Sequence, residues 1–569
     1  MREVVGISAG SSISESRTGG NRLNDTSDDR TGLVGLLLCV LCLAYFYMLG
    51  DSVIFDYGHF TRIFFDLLFF YDRQTAALAV LVCLAALLWR RPKPILRLVD
   101  HLDGHAGAFA FVSAAVFAAC ALGVYKNYAL CMDEYSAVFQ SKIFASGHLT
   151  AQLPPPLVPW LIAPGFNGSF LLISPETGRA IESYWPGFAL LLAPFQVIRL
   201  PWLCNALLGG LAIYLIHAIT REVTGDRRSA GWAMLFAIAS SVFWANAISY
   251  YSMQAHLTAN LLFAWLLLKP SSARSFAAGL VGSLALILHN PFPHVLFALP
   301  WLIALGSNTS TRRSLAPLAL GYLPAVAIGF GWALLRAQIS PAAQSAVAVA
   351  GTLKGVFVPP DMDIFNMRTA ALAKMWVWAL PCLFYLAVLG YLRTRGDRRV
   401  RLLMLSAVST FVGYLFVKLD QGHGWGYRYF HSAWGVVPIL AACALSGRRD
   451  EDRLVSFAGA AAVLSLLILV PFQLMQIDGF ITRHLAMVPA PKAGGNVYFI
   501  DSSRGYYLSD MIQMDPLLRS EDLYLATQGR RPDANLIQRH WPNAVRCGDA
   551  PGVVQWCLGA PPGTPALDE

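Results

Sequence analysis

Charge is what this sequence has least of. Asp, Glu, Lys and Arg make up 14% of its 569 residues while 56% are hydrophobic, where an average soluble domain carries about 25% charge. A chain so poor in charge does not read as a soluble globular protein. Other absences narrow the chemistry. There is no Gly-x-x-x-x-Gly-Lys-Ser/Thr run to cradle nucleotide phosphates and no His-Glu-x-x-His pair to hold a metal on one helix face. No tandem repeat is visible, and the polar residues 1–30 hold no basic start followed by an apolar signal-peptide core, so they read as a disordered cytoplasmic tail. Cysteine outside apolar surroundings is also scarce. Cys39, Cys42, Cys83, Cys120, Cys204, Cys382 and Cys443 sit inside apolar runs, where Cys acts as a small hydrophobe. Cys547 and Cys557 lie in a soluble-looking segment, and whether they pair depends on that segment being outside the cytoplasm.

What the chain does have is one apolar run after another, the pattern of an α-helical polytopic membrane protein. Its net charge of +9 does not point to nucleic acid, because the Lys and Arg cluster in short turns between apolar runs, where they report topology. Two N-terminal spans, within 31–106, end in the basic loop Arg90-Arg91-Pro92-Lys93 to Arg97. A third, about 107–125, runs outward. Later basic clusters (Arg221 to Arg228, Lys269 to Arg274, Arg312-Arg313, Arg393 to Arg401, Arg448 to Arg453) all face the cytoplasm if spans include 229–248, 370–392, 401–418 and 430–446. The run Trp185 to Leu200, broken by Pro186, Pro194 and Pro201, must then be re-entrant. This gives about 13 transmembrane helices, a core over 107–476, a large extracytoplasmic loop 126–183 with short surface-lying helices, and a small extracytoplasmic α/β domain over 477–569. Strands are expected at Val497 to Asp501 and Val553 to Cys557.

The most informative stretch is Cys131-Met132-Asp133-Glu134-Tyr135. Two adjacent carboxylates follow the apolar run Phe109 to Val124, at the border where a helix leaves the membrane. Such a pair is either a solvated cap or a source of proton transfer, since a carboxylate can take a proton from an attacking hydroxyl. Arg and Lys at the same face can hold a phosphate leaving group.

Around this pair the sequence resembles the GT-C superfamily of glycosyltransferases, in the bacterial branch of the protein O-mannosyltransferases and lipid A aminoarabinose transferases. The matching pieces are Asp133-Glu134, the turn Phe144 to His148, Tyr184 to Pro194, Tyr250 to His256, His289-Asn290-Pro291, and Gly426-Tyr427-Arg428-Tyr429. Where that family has His-Pro-Pro or Lys-Pro-Pro, this chain has Tyr184-Trp185-Pro186. The resemblance implies inverting transfer of a sugar from a polyprenyl-phosphate donor to a lipid, glycan or protein acceptor outside the bacterial inner membrane. It makes Asp133 the general base and gives Glu134 an orienting role beside it. Arg428, Lys354, Arg336 and Arg368 become candidates for the carrier phosphate, and His256, His289 and Tyr184 candidates for substrate contact. The first two spans have no counterpart in the matched core.

Competing readings stay beside these. Arg428, between two tyrosines, can be a membrane-interface anchor, and Lys354 a solvated charge. His256, His289 and His294 read more readily as hydrogen-bonded helix-end residues than as metal ligands. Asp361-x-Asp363 is the other weak cation signal, and no cofactor is expected. A polytopic lipid or glycan transporter or flippase is the alternative function, although the spans hold few charges and show no inverted repeat.

Overall fold

Aspartates placed just before helices define much of the architecture. Asp226, Asp397 and Asp452 each accept a backbone N–H from the first turn of the helix that follows, at 3.2 Å from Arg228, 2.7 Å from Arg399 and 2.9 Å from Leu454. These caps start the helices Arg227–Ile238, Arg398–Gly413 and Arg453–Leu464. All three caps lie in basic turns, so the clusters that mark topology also mark where helices begin. The computed structural model describes residues 20–51, 66–89, 93–340, 356–419, 421–504 and 506–559.

Among the described residues, six helices are long and apolar enough to cross a membrane: Leu68–Leu88, Ala106–Gly123, Leu203–Thr224, Arg312–Ile339, Arg398–Phe416 and Arg453–Leu485. The number reaches seven if Arg227–Ile238 and Ser241–Ile248, bent by 66°, count as one. The expected 13 is not reached, because several predicted spans are broken or short. The stretch 229–248 bends at Ser240. The stretch 370–392 divides into Met362–Val377 and Leu383–Thr394 around Cys382, whose φ of 70° is left-handed and ends any helix. These two breaks face each other. The Val242 amide donates to the Trp378 carbonyl at 3.0 Å, and the Leu380 amide donates to Ser240 Oγ at 3.0 Å. Backbone groups freed by one break are thus satisfied by the other, as an apolar medium requires.

Two further expectations change, and the short run at Trp185 to Leu200 stays too short to span. The basic loop after the second span contains an amphipathic helix, Lys93–Gly104, whose Ile95, Leu96, Val99 and Leu102 are buried. The first helix, Gly20–Asp51, begins inside the segment expected to be a tail. Trp185 to Leu200 contains the helix Gly187–Val197, which at 1.5 Å per residue is about 16 Å long and falls well short of a roughly 30 Å hydrocarbon core.

The N-terminal helices are tied to the remainder by a buried ion pair. Asp72 meets Lys374 Nζ at 2.5 Å, and the Trp378 indole N–H donates to its other oxygen at 2.6 Å.

Two sheets complete the fold. Strands β1 (Ala151–Gln152), β2 (Leu171–Ile173) and β3 (Arg179–Glu182) form a small antiparallel sheet in the order β1-β3-β2. Strands β4 (Asn496–Ile500), β5 (Asp522–Ala526), β6 (Val545–Ala550) and β7 (Val553–Cys557) pair in the order β5-β4-β7-β6, parallel only between β4 and β5. A disulfide, Cys547–Cys557, ties β7 to β6. This C-terminal sheet packs on the loop after Gly123, with Phe139, Leu161 and Ile173 sharing a core with Val497, Phe499 and Ile537. The short helices Met132–Ala145 and Val158–Leu161 therefore lie beneath protein.

Candidate active site

Tyr125 to Cys131 turn the chain out of the helix Ala106–Gly123, and Cys131, extended at φ −143°, delivers it into the helix Met132–Ala145. Asp133 and Glu134 fall in the first turn of that helix, where its dipole favours negative charge. Adjacent helical residues point about 100° apart, so the two carboxylates enter different surroundings.

Glu134 points inward and has no exposed surface. Its Oε1 accepts the Tyr250 amide at 2.7 Å, while Oε2 accepts the Leu130 amide at 2.8 Å and the Tyr125 hydroxyl at 3.1 Å. Burial pushes its carboxyl up to about 8, against the pull of those donors and of Arg428. It ties the turn before the helix to the turn at Tyr250.

Asp133 points to an opening, with its side chain 24% exposed. Oδ1 accepts the Tyr184 hydroxyl at 2.6 Å and Oδ2 accepts Arg428 Nη2 at 3.0 Å. Burial works to raise this carboxyl, but Arg428, His289 and the Tyr184 hydroxyl outweigh it and hold the group below the usual carboxylate range. Tyr184 itself stays protonated, since burial and the neighbouring Asp133 push its phenol well up.

Arg428 is delivered by the loop Gln421 to Tyr427. Its amide donates to Gln421 Oε1 at 2.8 Å, its Nη2 also contacts the Gln421 carbonyl, and its guanidinium lies 4.3 Å from the Tyr251 ring centroid. Among the described residues its Nε has no hydrogen-bond partner. Gly424 makes this path possible. Its φ is 117°, and a Cβ there would come within 2.4 Å of Arg428 Cδ.

The other candidates occupy distinct places. The His289 ring packs at a tilt of 41° against Tyr184, 3.8 Å between ring centroids, and its carbonyl accepts the Trp185 amide at 3.2 Å. Burial holds its imidazole down at about 4, although Asp133 works the other way, so the ring is neutral at pH 7. His256 is fully buried, and among the described residues neither ring nitrogen has a hydrogen-bond partner. Arg336 donates to the Ser183 carbonyl and Trp332 Nε1 to the Tyr184 carbonyl at 2.8 Å, so one helix, Leu323–Ile339, holds the Ser183-Tyr184 turn after β3. Arg368 spends its N–H groups on the carbonyls of Tyr414 (2.9 Å), Val417 (2.6 Å) and Leu419 (3.1 Å), clamping the loop before Gln421. Lys354 lies outside the described residues. Asp133, Tyr184, His289 and Arg428 are thus brought together, while Arg336 and Arg368 act on the backbone beside them.

Two solved structures similar to this chain are of ArnT from Cupriavidus metallidurans. One, bound to undecaprenyl phosphate, is 12% identical, with 79% of this chain and 97% of that chain covered at a TM-score of 0.49. The other, in the apo state, is 13% identical, with 79% and 98% covered at a TM-score of 0.45. ArnT is a lipid A aminoarabinose transferase of the GT-C kind, so these neighbours come from the branch that the sequence resembles. No family model matches the chain, and no curated protein does. Likeness of this degree assigns neither a residue nor a substrate.

Trp332 was not legible as a site residue because it acts through a contact 148 residues away, and Gln421, seven residues from Arg428, because an amide in a polar loop carries no signal of its own. Tyr251 had a signal in its place within Tyr250 to His256. Among the described residues no three His, Cys, Asp or Glu side chains converge as a metal site. The Asp361-x-Asp363 pair is taken up differently. Lys418 Nζ lies 2.7 Å from Asp361 and 3.4 Å from Asp363, and Asp361 caps its helix through the Ile364 amide at 2.9 Å.

Proposed function

We propose that the chain is a membrane glycosyltransferase that moves a sugar from a polyprenyl-phosphate donor to a hydroxyl acceptor on the extracytoplasmic face, with Asp133 as general base. The observation that carries this reading is a single carboxylate, open to an approaching group, kept ionised by a buried arginine. In the transfer the Asp133 carboxylate takes the proton of the acceptor hydroxyl as its oxygen attacks the anomeric carbon. The bond from that carbon to the phosphate oxygen breaks, and polyprenyl phosphate leaves with inversion at the sugar. Arg428, charged and beside Asp133, stabilises the growing charge on the phosphate. Tyr184 keeps Asp133 oriented, Glu134 fixes the turn beneath it, neutral His289 offers a hydrogen bond to a substrate hydroxyl, and His256 remains a proposed contributor to the site. Lys354, Arg336 and Arg368 remain proposed contributors of positive charge around the donor.

Orientation belongs to the same proposal. Two features support it: the basic turns, which the positive-inside pattern associates with the cytoplasmic side, and the disulfide between Cys547 and Cys557, which fits an oxidising compartment. The site would then face the outside of the bacterial inner membrane.

The test is transfer by purified full-length protein from a synthetic polyprenyl-phosphate sugar, beside Asp133→Asn. Activity in the wild type, with a loss of about 10²- to 10⁴-fold in the variant, is expected for removal of a general base. Full activity in a folded Asp133→Asn protein would refute the assignment. Movement of labelled lipid across vesicles without sugar transfer would favour a flippase.

A further inference from the structure

The two halves of the Asp133–Arg428 pair come from segments nearly 300 residues apart, and one buried side chain from a third segment touches both. Asp510 follows β4 in the C-terminal part of the chain. Its Oδ1 accepts the Met132 amide at 3.0 Å, one residue before Asp133. Its Oδ2 meets His423 Nε2 at 3.1 Å, in the loop that delivers Arg428. The Asp510 and His423 side chains are 1% and 2% exposed.

Local sequence leaves this position open. Cys131, at the N-cap, makes no side-chain cap bond, so the first N–H of the helix lacks a local acceptor. The acceptor is supplied from 378 residues away. Neighbouring contacts hold Asp510 in place. The Tyr135 hydroxyl donates to the Met514 carbonyl at 2.7 Å and accepts the Met514 amide at 2.8 Å, and Gln513 Nε2 donates to the Ala129 carbonyl at 2.7 Å. The segment 510–514 is therefore bonded along the whole turn that presents Asp133.

We infer that Asp510 is a positioning residue for the proposed transfer: by bonding Met132 and His423 together it sets the approach of Asp133 to Arg428, so that docking of the C-terminal segment completes the active site. A buried pair that merely packed two elements would have no reason to fall on the two segments that carry the base and the arginine. Catalysis is sensitive to such placement, because a displacement of about 1 Å can cost on the order of 100-fold in rate. The inference rests on the transferase reading of the site.

The experiment compares full-length wild type with Asp510→Ala, Asp510→Asn and His423→Gln, using a synthetic polyprenyl-phosphate sugar as donor. Asp510→Ala is expected to lower kcat per folded enzyme by about 10- to 100-fold, with the donor KM within roughly 3-fold of wild type, as for an interaction that matters in the transition state. Asp510→Asn keeps an acceptor for the Met132 amide and is expected to fall between the two. A second arm is independent of transfer: in an Asp133→Cys background, Asp510→Ala should speed labelling of position 133 by a water-soluble thiol reagent, located by mass spectrometry. Wild-type kcat and an unchanged labelling rate in folded Asp510→Ala would overturn the inference. If Asp510→Ala fails to fold, wild-type kcat in both Asp510→Asn and His423→Gln would overturn it instead. A wild type that transfers nothing, with labelling still accelerated by Asp510→Ala, would sink the transferase reading and leave Asp510 as the residue that sets this turn.

Discussion

Arg428 Nη2 lies 3.0 Å from Asp133 Oδ2, on the one carboxylate of the Asp133–Glu134 pair that keeps exposed surface. Burial alone would raise the Asp133 carboxyl, while Arg428 is the largest of the groups that pull it down. A carboxyl depressed in the folded state contributes stability that is present above its unfolded value and is lost as pH falls through the folded value. Activity should follow the same sign, because the base works only when ionised. Wild-type kcat/KM should therefore hold as pH falls to the ordinary carboxylate range and decline below it. In Arg428→Gln burial prevails, so the acidic limb should move to higher pH while the maximum rate drops. A pH–rate profile of both proteins measures this, and an acidic limb unmoved by Arg428→Gln would show that another group sets it.

Glu134→Gln should destabilise the protein although it removes no bulk. Both carboxylate oxygens accept a backbone amide, Tyr250 on one side and Leu130 on the other. A neutral carboxylic acid can still serve both, by donating to the Tyr125 hydroxyl from the Leu130 side and accepting with its remaining lone pair. A carboxamide cannot, because its NH₂ would face one of the amide donors. One buried N–H is then left without an acceptor, at a cost of about 1–3 kcal/mol. Thermal denaturation in detergent should show the loss, and Glu134→Gln as stable as wild type would mean that the turn relaxes freely.

Gly424→Ala should reduce transfer through Arg428. At φ 117° an alanine is strained, by about 1–3 kcal/mol, and its Cβ would meet Arg428 Cδ at 2.4 Å. The guanidinium must shift away from Asp133, so the variant should reproduce part of the raised acidic limb of Arg428→Gln. Gly104→Ala, with nothing within 4 Å of the added Cβ, is the control. Equal transfer by the two glycine variants would show that the loop accommodates the methyl group.

What the sequence made legible was local, and what it hid was long-range. Asp133, Tyr184, His289 and Arg428 stood out because each lies at the end of an apolar run beside aromatic residues, and the fold brings them into one contact set. The strand Val553 to Cys557 was visible from its β-branched and aromatic run, and β7 has those bounds. Hydropathy could not reveal the breaks at Ser240 and Cys382, because Ala, Val, Trp and Leu continue across them and only the facing hydrogen bonds show that the backbone has left the helix. The same blindness is why the expected 13 spans exceed the six helices that are long and apolar enough among the described residues. Asp510 and Gln421 carried no signal, since a carboxylate or amide in a polar segment looks solvated until its partners, 378 and 7 residues away, are known.

The ion pair between Asp72 and Lys374 yields the final expectation, about the two N-terminal helices. Both side chains are 1% exposed and meet at 2.5 Å, with the Trp378 indole on the second oxygen of Asp72. Asp72→Ala would leave the Lys374 ammonium buried without its carboxylate, and Lys374→Ala would do the reverse. Either change should cost about 3–5 kcal/mol. Replacing both, as in Asp72→Leu with Lys374→Met, removes the uncompensated charge and should recover most of that loss. Recovery should stop short of wild type because the Trp378 N–H then loses its acceptor, which costs about 1–3 kcal/mol. Trp378 matters beyond its side chain, since its carbonyl accepts the Val242 amide at the facing helix break. A double variant less stable than both single variants would show that the pair holds the N-terminal helices by its geometry, and thermal denaturation of the four proteins in the same detergent decides between the two.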